Sequence, residues 1–539
     1  MIRRPLVIRR PEDLSPAVIA AAARAGRPAV IAATAQAGQP AVNAATARAG
    51  QPAVNAAAAQ AGLPIVLAPE LLDALAASRR DTLRDLAGDR PVYGVNTGMG
   101  AMAGVRLDAA AQARQQNTLM IGRAVGSTPW LSRREARAVL ATRLRTLLHP
   151  AAGVSPELCQ FLVAMLDADV VPAIPRRGGA AGEIIPLAHA GAVLIGAGQV
   201  LSPTGEVLDA APAMAAAGLA PRPFEAKEGV AFLEGVPGLT GLAVLAAEDA
   251  RRLLTQVLVV ATASHAVIGA SRDPLHPALA DSAELGTVLS TMRGLLDDGR
   301  AGRQGRAAAG QPVELPARRL QAPVSFRVTA PALAVGLRAV AGLEEATGRA
   351  LAAVTDSPAH LDGRFAGTFG FAGTDLAAAA SALTVALTHL AELGAARLHR
   401  LLDDGLTGLP RQLSDAPGLH AGMVTVHKRA VGVVHRLRRF AAPALAGAIE
   451  TSLGQEDVQS FGFEAAECLG EAISGLRDVL ACELLAVHQA RLLGGPVGEA
   501  LGPALDEIAA ALPPGTADRP FGRDLDRLTG LLADGWSTP

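Results

Sequence analysis

The chain has 539 residues, half of them hydrophobic and only 3% aromatic, with a formal net charge of −1. That length excludes a single small core, and the balanced charge, with no concentrated basic patch, excludes nucleic acid as the expected partner. An aliphatic interior rich in Ala and Leu, both strong helix formers, predicts a mainly α protein.

The first residues, MIRRPLVIRRPEDL, are basic but lack the apolar stretch of a secretory signal. The cysteines Cys159, Cys468 and Cys482 form neither a close pair nor a ligand-spaced cluster with histidine. Neither a disulfide nor a metal site is expected, and a reducing cytoplasm is. Residues 23–70 carry a twelve-residue repeat in which Gly26, Gly38, Gly50 and Gly62 fall in register, as do Pro28, Pro40, Pro52 and Pro64. A proline in every unit forbids one continuous helix, and so few units cannot build their own core. The repeat reads as an expansion of one helix–turn unit, or alternatively as an interaction arm.

From Pro69 the pattern becomes ordinary. ELLDALAASRRDTLRDLAG has helical period and is followed by a glycine-rich turn, PVYGVNTGMG. A second glycine cluster, PRRGGAAGE, occupies 175–183, and 298–318 reads as a polar connection. The apolar stretch Leu253–Ala270 holds Gln256, Thr262, Ser264 and His265, so it fits a buried bundle helix rather than a membrane span. Long Ala- and Leu-rich helices are predicted over 330–354, 374–404, 421–449 and 462–493. The expected domains are an N-terminal extension at 1–68, a site-bearing domain at 69–225 and a helical bundle at 226–539.

Six segments in order carry a resemblance. VYGVNTGMG (92–100) is similar to a YGxNTGFG segment, GEIIPLAH (182–189) to GDLAPLAH, and KEGVAFLEG (227–235) to KEGLALxNG. LQAPVSFR (320–327) is similar to VQDxYSxR, 392–410 to a stretch ending in LSxLP, and TSLGQED (451–457) to TSxxQED. These segments belong to the histidine and aromatic amino acid ammonia-lyases, which the chain resembles over about 90–460. The resemblance implies a mainly α subunit with a long central helix bundle, assembled as a homotetramer whose sites combine loops from several subunits.

The resemblance also implies site residues. Tyr93, the only tyrosine in the chain, matches the family's lid-loop acid–base residue. Arg327 matches the arginine that clamps the substrate carboxylate, a task suited to a planar, bidentate guanidinium. Glu456 matches an acid near the substrate amine, and Asn96 and Gln321 match polar pocket positions. Arg123 and Glu234 stand where the family has a substrate-selecting histidine and an asparagine. Simpler roles are open to each: Tyr93 as a core residue, Arg327 as an ion-pair partner, Glu456 as a helix cap, Arg123 and Glu234 as a compensating pair. His189 has a counterpart in the family and reads as structural.

The departures matter more. The family forms its electrophile, a methylidene-imidazolone, by cyclising and dehydrating an Ala-Ser-Gly tripeptide. The matching residues here are Ala180, Ala181 and Gly182, and no serine lies between Ser155 and Ser202. No cofactor is therefore expected. The family's YSxR tyrosine is Val324, and its DNP asparagine is Ser357. What remains is a small carboxylate substrate and an enzyme using Tyr93 without that electrophile, with a non-catalytic homologue and a conventional ammonia-lyase as alternatives.

Overall fold

The computed structural model describes residues 5–24, 64–180, 182–296, 320–447 and 449–536. Most of the twelve-residue repeat, Ala181 and the polar segment 298–318 lie outside the described residues.

In chain order the main elements begin with β1 (Leu6–Ile8), α1 (Pro16–Arg24), β2 (Ile65–Leu67), α2 (Pro69–Leu86), α3 (Ala109–Arg123), α4 (Arg133–Leu147), α5 (Pro156–Asp167) and α6 (Ile184–Leu194). Next come β3 (Gln199–Leu201), β4 (Val207–Asp209), α7 (Ala210–Ala216), α8 (Glu228–Leu233), α9 (Pro237–Val267), α10 (Ala283–Leu296) and α11 (Thr329–Ala352). The remainder are β5 (Ala359–Leu361), β6 (Arg364–Ala366), α12 (Thr374–Leu401), α13 (Val424–Leu437), α14 (Gly462–Leu492), α15 (Gly502–Ala511) and α16 (Phe521–Asp534). The protein is mainly α, as its composition predicts. β1 pairs parallel with β2, Leu6 opposite Ile65, while β3–β4 and β5–β6 are short antiparallel ribbons.

The chain forms two compact units. The first comprises Met1–Leu245, Glu344–Ala380 and Ala444–Glu467. Local chemistry sets its helix ends. Asp108 caps α3 by accepting from Ala111 N at 2.7 Å, Ser132 and Glu135 form a capping box on α4, and Ser155 caps α5 with Pro156 behind it. Its core is aliphatic, built on residues such as Leu140, Leu144, Leu158, Leu187, Val193 and Leu233. Glycine lets the backbones close in: a Cβ on Gly229 of α8 would stand 2.4 Å from the carbonyl oxygen of Gln116 on α3.

The second unit comprises Ala246–Leu343, Ser381–Pro443 and Cys468–Pro539. It is a helical bundle with a polar pin. Arg397 on α12 donates from Nε and Nη2 to both oxygens of Glu483 on α14, each at 2.7 Å, and from Nη1 to Thr329 Oγ1 at 3.0 Å. Ser264 of α9 donates to the same carboxylate at 2.7 Å. Every partner is buried, so the charge pair is fully hydrogen-bonded where a lone charge would be costly. On α16, Phe521, Leu525, Leu528 and Leu532 make one buried stripe at helical spacing.

The long helices expected at 330–354, 374–404 and 462–493 are α11, α12 and α14, with ends within a few residues. The helix expected at 421–449 is shorter. Gly422 sits at φ +60°, and the chain leaves the α conformation after Leu437 through a 3-10 turn, Arg438–Phe440, ahead of Pro443. The apolar window within Glu228–Val267 is 94% buried and that within Gly370–Leu401 is 61% buried. Both stretches are long and apolar enough to cross a membrane, a property that core helices share.

Candidate active site

Tyr93 lies in a tight loop before α3. Gly94 takes φ +67° and Gly100 φ +57°, conformations that a side chain would strain. The amide of Asn96 locks this loop: its Oδ1 accepts from Val92 N at 2.7 Å and Arg106 Nη1 at 3.2 Å, and its Nδ2 donates to Arg90 O at 2.9 Å. Gly100 N–H donates to the Tyr93 hydroxyl at 2.7 Å. The phenol's own proton has no acceptor among the described residues.

Three charged side chains act electrostatically on that phenol. Burial raises its pKa most, the Gly100 hydrogen bond lowers it, Glu234 and Glu456 raise it, and Arg123 lowers it; the outcome lies above the ordinary tyrosine value. The Arg123 guanidinium is in turn pushed down by burial and supported by Tyr93, Glu234 and Glu456. Arg123 ends α3 and reaches Met99 Sδ at 3.8 Å. Glu456 sits in a turn closed by Thr451, whose hydroxyl donates to the Glu456 carboxylate at 2.6 Å. A Cβ on Gly100 would come within 3.1 Å of Ser452 Oγ, so this turn borders the tyrosine loop.

Glu234 follows α8 directly and is 7% exposed. Burial, then the Asp356 charge, pushes its carboxyl up to about 8, against the opposing pull of Lys227. Its backbone carbonyl accepts from Arg143 Nη2 at 2.6 Å, whereas its carboxyl has no hydrogen-bond partner among the described residues. Lys227 is engaged elsewhere, donating to Asp356 Oδ2 at 2.6 Å. Burial drives the lysine down and the aspartate up, and their mutual attraction opposes both shifts. Glu183 is the next carboxyl along. It accepts from Gly238 N and Leu239 N at the start of α9, and burial lifts it to about 7 despite those bonds.

Sequence reasoning missed the residue that ties these parts together. Gln116, fully buried on α3, donates to Gly94 O at 3.1 Å and accepts from Val230 N at 3.1 Å. It therefore sets the tyrosine loop against the helix that presents Glu234. The Lys227–Asp356 pair and Arg143 were also missed as site components. Lys227 and Asp356 both lie in recognised motifs, but nothing in a motif says that two such residues meet. His189 is structural in its contacts, accepting from Gly126 N at 3.0 Å and packing against Trp130.

The structure thus gathers Tyr93, Arg123, Glu234 and Glu456 in the first unit, with Asn96 bracing the loop. Ala180 and Gly182 are half-buried there, flanking Ala181. Gln321 and Arg327 belong to the second unit. Gln321 is exposed; Arg327 is half-buried on the short helix Val324–Arg327, and its buried Nε has no hydrogen-bond partner among the described residues. Among the described residues, no group of three His, Cys, Asp or Glu side chains gathers as a metal would require.

A helical protein with its tyrosine on a glycine loop beside a buried acid is the class that fold and site define. The aromatic amino acid lyase family matches residues 52–512, and the chain belongs to that family. It is 33% identical over 485 residues to a histidine ammonia-lyase of Gloeobacter violaceus, covering 87% of this chain and 91% of that one. It is 31% identical over 462 residues to the histidine ammonia-lyase of Streptomyces griseus, covering 84% and 88%. The crystal structure of tyrosine aminomutase from Streptomyces globisporus superposes with a TM-score of 0.80 at 26% identity, covering 88% of this chain and 93% of that one.

Proposed function

We propose that this protein is a lyase-like enzyme that works without the methylidene-imidazolone. It would use Tyr93 for acid–base chemistry on a small carboxylate substrate. The observation that carries the proposal is the tripeptide itself. Ala180, Ala181 and Gly182 offer two methyl groups and a hydrogen, so no hydroxyl is present to eliminate and the residues do not fit the family's electrophile. Ammonia is a poor leaving group without that activation. The suitable reactions are elimination of a better leaving group, conjugate addition to an unsaturated acid, or ring closure.

Each retained group has a task in such chemistry. Arg327, whose buried Nε has no hydrogen-bond partner among the described residues, would clamp the carboxylate, and Gln321 would help bind the substrate. Tyr93 keeps its proton at neutral pH because burial and the two nearby acids hold its pKa up, and it would deliver that proton to carbon. Arg123, Glu234 and Glu456 would bind and polarise the rest of the substrate. The enzyme would act as a cytoplasmic homotetramer.

A second reading has its own support. The curated relatives are named histidine ammonia-lyases, so a conventional ammonia-lyase is the direct competitor. Incubation of the purified protein with histidine, phenylalanine and tyrosine, followed by release of ammonia, separates the two. Turnover of any of them would refute the proposed chemistry. Failure to bind any small carboxylate would leave a non-catalytic homologue.

A further inference from the structure

Two groups at this site have unused hydrogen-bonding capacity. The Tyr93 oxygen accepts from Gly100, and its proton is unclaimed among the described residues. The Glu234 carboxyl is more than nine-tenths buried and unclaimed as well. Its cationic neighbours are committed: Lys227 to Asp356, and Arg143 to backbone carbonyls of Ala231 and Glu234. A buried carboxyl with no partner carries a desolvation penalty that a ligand group would relieve.

Building on the acid–base function proposed above, we propose that Glu234 is the second proton-transfer group of the site. It would accept the proton of an incoming N–H, O–H or S–H nucleophile that adds to an α,β-unsaturated carboxylic acid. The nucleophile forms its bond to the β-carbon and loses its proton to the Glu234 carboxylate. The π pair moves to the α-carbon, which takes the phenolic proton of Tyr93. Glu234 then returns its proton to the Tyr93 phenolate, and nothing is oxidised or reduced.

The order of the two acids matches this cycle. Tyr93 is the weaker acid, above its ordinary value, and Glu234 titrates at about 8. The reactive form, with a neutral phenol and an ionised Glu234, is populated as pH rises through about 8, and the return of the proton to Tyr93 runs downhill. Elimination would need the opposite placement, with the phenolate free and the carboxyl protonated. The charges facing Glu234 are Asp356, Lys227, Glu456 and Arg143, with Tyr93 and Arg123 beyond.

The test uses the full-length protein with acrylate, fumarate or cinnamate as the acid and ammonia or methylamine as the nucleophile. Proton NMR in deuterated water follows the adduct. Wild type is expected to give an adduct carrying one deuterium at the α-carbon, at a rate that rises as Glu234 ionises near 8. Glu234→Gln should fall at least a hundredfold and lose that pH limb; Glu234→Asp should recover part of the rate. An unaltered rate and pH profile in Glu234→Gln would overturn the role of Glu234 and leave that of Tyr93 standing. Acids that bind but never form an adduct would overturn the addition chemistry. No binding of any acid would instead refute the carboxylate site on which both proposals rest.

Discussion

The backbone N–H of Gly100 donates to the Tyr93 hydroxyl at 2.7 Å, so the loop that carries the tyrosine also holds its oxygen in place. Sequence makes this contact available. Gly100 adopts φ +57°, which turns its amide back toward a residue seven positions earlier. The phenol is oriented by its own loop before any substrate arrives.

Tyr93→Phe should fold and bind a carboxylate ligand much as wild type does, yet lose turnover. The lost hydrogen bond is worth about 1 kcal/mol at a half-exposed position. Isothermal titration with the ligand and a turnover assay on the same preparation would check both. Retained turnover would remove Tyr93 from the chemistry.

Arg327→Lys should weaken carboxylate binding by roughly 1.5–3 kcal/mol, because an ammonium cannot replace a planar fork. Calorimetry on wild type and variant reads the change directly. Unchanged affinity would return Arg327 to a structural role.

Glu234 also gives stability a pH dependence. Its carboxyl is raised from 4.5 to about 8 in the folded protein, so the folded state holds its proton more tightly than the unfolded state. The stability linked to that proton is full below 4.5 and is lost as pH rises through about 8. Glu183, raised to about 7, acts in the same direction. Wild type should therefore melt lower at alkaline than at mildly acidic pH. Glu234→Gln should lose much of that difference and melt higher than wild type on the alkaline side. Parallel melting curves for the two proteins would contradict this.

The homotetramer is an expectation from the family resemblance, and an exposed apolar face of the second unit offers a place to test it. A shallow apolar cavity of about 390 Å³ is lined by Val328, Pro331, Val335 and Val385, and Val335 and Val385 are each nearly half exposed. Light scattering should give a tetramer at micromolar concentration, and Val335→Asp with Val385→Asp should weaken the assembly. A stable wild-type monomer would count against it.

The sequence exposed Tyr93, Glu234, Arg327 and Glu456 because each sits inside a short ordered motif, and Arg123 because it stands where the family has a substrate-selecting histidine. Tyr93, Arg123, Glu234 and Glu456 do share one electrostatic environment. Their supports were not legible. Gln116 is an ordinary polar residue in a helix, and only folding shows that it joins Gly94 to Val230. Lys227 and Asp356 are far apart in sequence, and their 2.6 Å contact is a tertiary fact. The overlong helix at 421–449 shows the opposite error, since a helical hydrophobic pattern ran on through Arg438–Phe440 after the α-helix had ended. The long helices themselves were plain from their Ala and Leu content.

Intact mass decides whether the tripeptide Ala180–Gly182 carries the family's electrophile. Denaturing mass spectrometry of the purified protein, with an ultraviolet difference spectrum alongside, reports whether residues 180–182 have cyclised and dehydrated. The protein should have the mass of its unmodified sequence, show no imidazolone absorbance, and form no adduct with borohydride or cyanide. A protein lighter by two waters, or one that takes up either reagent at this tripeptide, would contradict that expectation.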